Sequence, residues 1–63
     1  MLALFSEIRL RRDQPDLGLP AGIVGSIVEV FTEPSEGYIV EFNPPYDQDV
    51  YDLGPNDLEL IGK

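Results

Sequence analysis

The sequence predicts an all-β domain, a small five-stranded antiparallel barrel, and three observations carry the prediction. Apolar residues alternate with charged ones at period two in short runs, no stretch has a helical period, and Gly-, Pro- and Asp-containing turns separate the runs. The most informative run is Ala21-Gly22-Ile23-Val24-Gly25-Ser26-Ile27-Val28-Glu29-Val30-Phe31, a Gly-x-x-Gly turn leading straight into β-branched residues. Glycine takes positive φ without steric cost, so Gly22 and Gly25 stand where the chain must reverse or kink, with a bulge or positive φ expected at Gly25. The residues that follow suit a pleated, half-buried surface.

Phe5 to Arg11 places Ile8 and Leu10 on one face and Glu7, Arg9 and Arg11 on the other, the pattern of a first strand. Asp13 to Gly22 is rich in turn formers and reads as a long first loop, anchored by Leu17 and Leu19 folding back over the core. The second strand covers Ile23 to Phe31. After a turn over Thr32 to Gly37, the third strand runs from Gly37 to Phe42 and pairs with the second as a hairpin. Pairing Val30 with Val40 and Val28 with Phe42 gathers the apolar side chains on one face, whereas a one-residue slip buries Glu29. That register sets Glu29 opposite Glu41, with Arg9 or Arg11 expected to relieve the repulsion, and turns Ile27 outward beneath Leu17 and Leu19.

Pro44 and Pro45 cannot donate to a ladder and end the third strand. Asp49 to Leu53 forms a short fourth strand, Gly54 to Asp57 a turn or one turn of 3₁₀ helix, and Leu58 to Ile61 a closing strand with Leu58 and Leu60 inward. The predicted core is therefore Ile8, Leu10, Val28, Val30, Val40, Phe42, Leu58 and Leu60. Five short strands with a late 3₁₀ turn describe a small antiparallel barrel, which manages its edges by curling nearly closed, and the Gly-x-x-Gly entry to the second strand is the way such a strand begins in an SH3-like barrel.

The chain of 63 residues reads as a single domain, residues 1–63, with a core supplying only about 3–5 kcal/mol. It contains neither Cys nor His, which argues against zinc sites, thiol chemistry and triad catalysis and leaves packing as the source of stability. The expectation is a non-enzymatic protein with no cofactor and no metal. Asp47, Asp49 and Asp52 invite a calcium reading, but Val50 and Tyr51 interrupt the ligand spacing an EF-hand loop needs. The apolar start, Met1 to Phe5, lacks the length and flanks of a signal peptide or a span, so a cytoplasmic location is expected.

The net charge is −8, from 12 acidic and 4 basic residues. Of the acidic residues only Glu7 precedes Asp13, and between Asp13 and Gly62 no basic residue occurs. Such a surface repels phosphate backbones and anionic lipid, so nucleic acid and membrane are not expected partners, and it attracts a basic protein face. The plain alternative is that the acids keep a small protein soluble. Arg9-Leu10-Arg11-Arg12, the one basic cluster, reads as a solvated strand face neutralising nearby Glu. Tyr46-Asp47-Gln48-Asp49-Val50-Tyr51-Asp52 mixes aromatic and acidic groups after a stiff Pro-Pro step, which makes Tyr46, Asp47, Asp49, Tyr51 and Asp52 the candidate partner-binding residues.

The run from Arg12-Asp13 through Leu17-Gly18-Leu19, Ala21-Gly22 and Gly25-Ser26-Ile27-Val28-Glu29-Val30 to Tyr38-Ile39-Val40-Glu41-Phe42 resembles a small bacterial family of domains of unknown function. Its pattern is D-x-P-x-x-G-L-x-x-G-x-x-G-T-I-V-E-V followed by Y-x-V-E-F. Ser26 stands in place of the usual Thr, Gln14 precedes Pro15, and Pro44-Pro45-Tyr46 departs from the family's more typical Gly- or Asp-containing turn. The resemblance implies an SH3-like barrel, often encoded beside a small protein of toxin type, and hence an antitoxin or immunity role for a protein-binding module. A wider architectural resemblance is to the SH3-like accessory subunits of photosynthetic electron-transfer complexes. It implies the alternative of a small structural subunit in a larger assembly, although shared architecture does not transfer function. A nucleic-acid-binding barrel is a third reading, for which the Gly-x-x-Gly loop lacks the surrounding Lys and Arg.

Overall fold

A computed structural model describes residues 2–61. The strands are β1 (Glu7–Leu10), β2 (Val24–Phe31), β3 (Gly37–Phe42), β4 (Tyr51–Leu53) and β5 (Leu58–Leu60). Single turns of 3₁₀ helix precede β2, at Pro15–Leu17, and β5, at Pro55–Asp57. All five strands lie in one antiparallel sheet of order β4-β3-β2-β1-β5. The two end strands do not pair with each other, so the sheet is not closed and the expected barrel extends only as far as an open five-stranded sheet.

Ile8 and Leu10 of β1, Ile27 of β2, Tyr38, Val40 and Phe42 of β3, Leu53 of β4 and Leu58 of β5 are buried on one face, together with Leu19 of the first loop. The first loop follows from its own chemistry. Proline opens the 3₁₀ turn with φ already set, and Gly18 closes it at φ 71°, donating its N–H to the Pro15 carbonyl at 3.1 Å. Asp13 Oδ1 accepts from the Ala21 N–H at 2.7 Å, and Gly22 reverses the chain at φ 91°. Leu19 is the anchor. Leu17, expected beside it, points to solvent because the turn carries it away from the sheet.

The hairpin register differs from the expected one. Gly25 opposes Phe42, Ser26 opposes Glu41, Ile27 opposes Val40, Glu29 opposes Ile39 and Val30 opposes Tyr38, with a bulge between Ile27 and Glu29. Val28 is the extra residue, and it inverts the alternation of β2 partway along. Before the bulge Ile27 points inward and is fully buried; beyond it Val30 packs against the core from the same side. Ile27 is thus a core residue rather than an outward one, and the Glu29–Glu41 pair does not form. Val28 and Val30 are half-buried.

Gly25 is needed for a reason other than positive φ. It lies in regular strand, and a Cβ built on it would stand 2.5 Å from the Glu41 carbonyl oxygen and 2.8 Å from Phe42 Cα. No neighbour can yield, because both atoms are backbone of the paired strand. Leu58 is buried as expected, but Leu60 is 59% exposed. With no strand beyond β5, the end of this short edge lacks the cover that a closed barrel would supply.

Candidate functional site

The two edges of the sheet carry different electrostatics. On the β5 side two of the three arginines of β1 and the following loop are matched locally: Arg9 Nη2 meets Glu59 Oε1 at 3.1 Å, and Arg12 Nη2 lies 3.7 Å from Asp57 Oδ1. Gln14 Nε2 donates to the same Asp57 oxygen at 3.2 Å. Arg9 therefore serves the Glu59 carboxylate across β1 and β5, not Glu29 and Glu41 as the expected register required. Exposed pairs of this kind stabilise by about 0.2–1 kcal/mol, so their consequence is chiefly local neutrality.

On the β4 side there is no such match. Asp47 and Asp49 are exposed on the segment leading from Pro45 to β4, and Asp52 projects outward between the inward Tyr51 and Leu53. Among the described residues none of these three carboxylates makes a hydrogen bond or an ion pair. The antiparallel register brings Tyr38 opposite Leu53, which sets the β2–β3 turn beside the end of β4. An open cleft of about 490 Å³ forms there, lined by Phe31, Pro34 and Leu53 together with Glu33, Glu36 and Asp52. Glu33 and Glu36 were not among the residues the sequence singled out. The signal for them was the meander itself, since an antiparallel β3–β4 pair returns the chain to the start of β3.

The aromatic members of the candidate site have one face in the core. Tyr46 and Tyr51 are half-buried against the hydrophobic cluster, and the Tyr51 ring lies 6.0 Å from that of Phe42 at a 48° tilt. Tyr46 is held by a turn in which its N–H donates to the Asn43 carbonyl at 3.0 Å. The structure thus places Tyr46, Asp47, Asp49, Tyr51 and Asp52 on one continuous segment, with the tyrosines rooted in the core and the aspartates in solvent. Val50 is exposed between them.

Tyr38 is the third tyrosine and the most enclosed. Its hydroxyl donates to the Glu36 carboxylate and accepts from the Leu2 N–H at 2.8 Å, tying the start of the chain to the β2–β3 turn. Burial of the phenol, and then its hydrogen bond to Glu36, raise its pKa above the ordinary value near 10.

Among the described residues no group of three potential ligands is arranged to hold a metal ion, and no helix is long and apolar enough to cross a membrane. No curated protein and no solved structure matches the chain. A family of domains of unknown function, DUF4926, matches residues 4–44, which take in β1, β2 and β3 and stop short of Tyr46 and β4. Since that match covers well over half of the sequence, the chain belongs to the DUF4926 family of domains of unknown function.

Proposed function

We propose that this protein is a non-enzymatic binding module whose acidic side receives a basic protein partner, in the manner of an antitoxin, an immunity protein or an accessory subunit. The observation that carries the reading is the polarity of the sheet. The described arginines lie at the β1–β5 side, two of them against carboxylates, while Glu33, Glu36, Asp47, Asp49 and Asp52 gather around β4 with no cation beside them among the described residues. A one-signed patch steers an oppositely charged partner during encounter, and partly buried tyrosines beside it supply contact area at low entropic cost. In fold, the reading is an SH3-like barrel left open between β4 and β5. The five short antiparallel strands and the 3₁₀ turn just before the last one support it.

The test is kinetic. With a partner recovered by affinity capture and then purified, Asp47→Asn combined with Asp49→Asn slows association and flattens its salt dependence, because two charges leave the steering field. Tyr46→Ala, with its fold verified by thermal melting, mainly hastens dissociation and costs about 1–2 kcal/mol. Association that is indifferent to salt and to the aspartates, or an acidic partner, sinks the reading.

A further inference from the structure

The geometry points to strand addition at β4: an extended, lysine- or arginine-bearing segment of the partner pairs with the outer edge of Tyr51–Leu53. This rests on the reading of a basic partner and specifies how it is held. β4 hydrogen-bonds on one side only, to β3, and no other backbone group among the described residues bonds to Tyr51, Asp52 or Leu53. An unpaired edge offers N–H and C=O groups in strand geometry, the template that peptide-binding sheets use.

The sheet has a second free edge at β5, and charge decides between them. At β5 the neighbouring carboxylates Glu59 and Asp57 already face Arg9 and Arg12. At β4 Asp47, Asp49 and Asp52 face solvent without a counter-charge among the described residues, so an approaching second copy of this chain or an acidic peptide is repelled and a basic strand is drawn in. The cleft at the Leu53 end gives such a strand a place for one side chain. Phe31 and Pro34 suit the methylene stem of a lysine or arginine, and the Glu33 and Asp52 carboxylates suit its charged head.

The experiment uses the whole chain and three synthetic octapeptides: alternating Lys-Val, alternating Glu-Val, and the Lys-Val peptide with every backbone nitrogen methylated, which removes the donors of both strand edges. Amide hydrogen exchange locates binding, and fluorescence anisotropy of labelled peptides measures it. The Lys-Val peptide is expected to bind and slow exchange in β4 but not in β5. Methylation, which keeps the charge but removes strand donors, should weaken it by about tenfold or more, the equivalent of one or two lost hydrogen bonds. Asp52→Lys, at an exposed position, should abolish binding without unfolding the sheet. Equal binding of the methylated peptide overturns strand addition while leaving the basic-partner reading intact. Equal binding of the Glu-Val peptide overturns the charge reading itself. Protection at β5, or no binding by any of the three peptides, also overturns strand addition.

Discussion

Gly25 and Tyr38 show how much one side chain, or the lack of one, decides in a domain this small. Any Cβ at position 25 meets the backbone of Glu41 and Phe42, so Gly25→Ala must push β2 away from β3. A loss of about 2 kcal/mol or more is expected in chemical denaturation, and Gly25→Val should prevent folding. The sequence marked this glycine as special but by the wrong physics, because close approach across a ladder and positive φ leave the same residue behind. Tyr38 makes a prediction in pH. A phenol whose pKa is raised in the folded state keeps its proton when the unfolded chain has released its own, so unfolding is accompanied by proton loss and stability falls as pH rises. Melting temperature should hold below about pH 10 and drop above it, the drop being smaller in Tyr38→Phe than in the parent. At neutral pH that variant should lose about 1 kcal/mol, through the bonds to Glu36 and Leu2.

Strand by strand, the number, sequence and chemistry of the elements were legible because period-two alternation and Pro and Gly punctuation are local signals. Ile8, Leu10, Val40, Phe42 and Leu58 were readable as core on that basis, and all are buried. Register was not legible. Val28 looks like any strand residue, with no glycine or proline to announce a bulge, and the extra residue exchanges the roles of the two faces between Ile27 and Glu29. Leu53 is not legible as core from the sequence because the burial of β4 depends on what lies across it, whereas Tyr38 shares the face of Val40 and Phe42 by period two and its polar hydroxyl hides that signal. Period two gives Leu60 the face of Leu58, but cover requires a neighbour, and Leu60 has none at the end of the edge among the described residues. In β5 the two leucines therefore separate cleanly by experiment. Leu58→Ala should cost about 2–4 kcal/mol in urea unfolding, and Leu60→Ala no more than about 0.5 kcal/mol. Comparable losses at both would mean that β5 is covered in solution.

At the scale of the molecule, the acidic excess on the β4 side works against the fold that carries it, because like charges crowd a surface with no counter-charge among the described residues. Raising salt from about 10 mM to 200 mM shortens the screening distance from roughly 30 Å to 7 Å and should raise the melting temperature by several degrees. A fall would mean that the Arg9–Glu59 and Arg12–Asp57 pairs outweigh the repulsion. The candidate site was legible as a stretch of sequence, Tyr46 to Asp52, but not as a place, since Glu33 and Glu36 join it only through the fold. That fold also divides the chain unequally between the stretch the family matches and the rest. The residues matching the family build the three central strands, while the remainder crosses from one rim of the sheet to the other and supplies β4 and β5 both. Changes confined to that single stretch alter both rims together, so what the domain touches can change while its three central strands stay as they are.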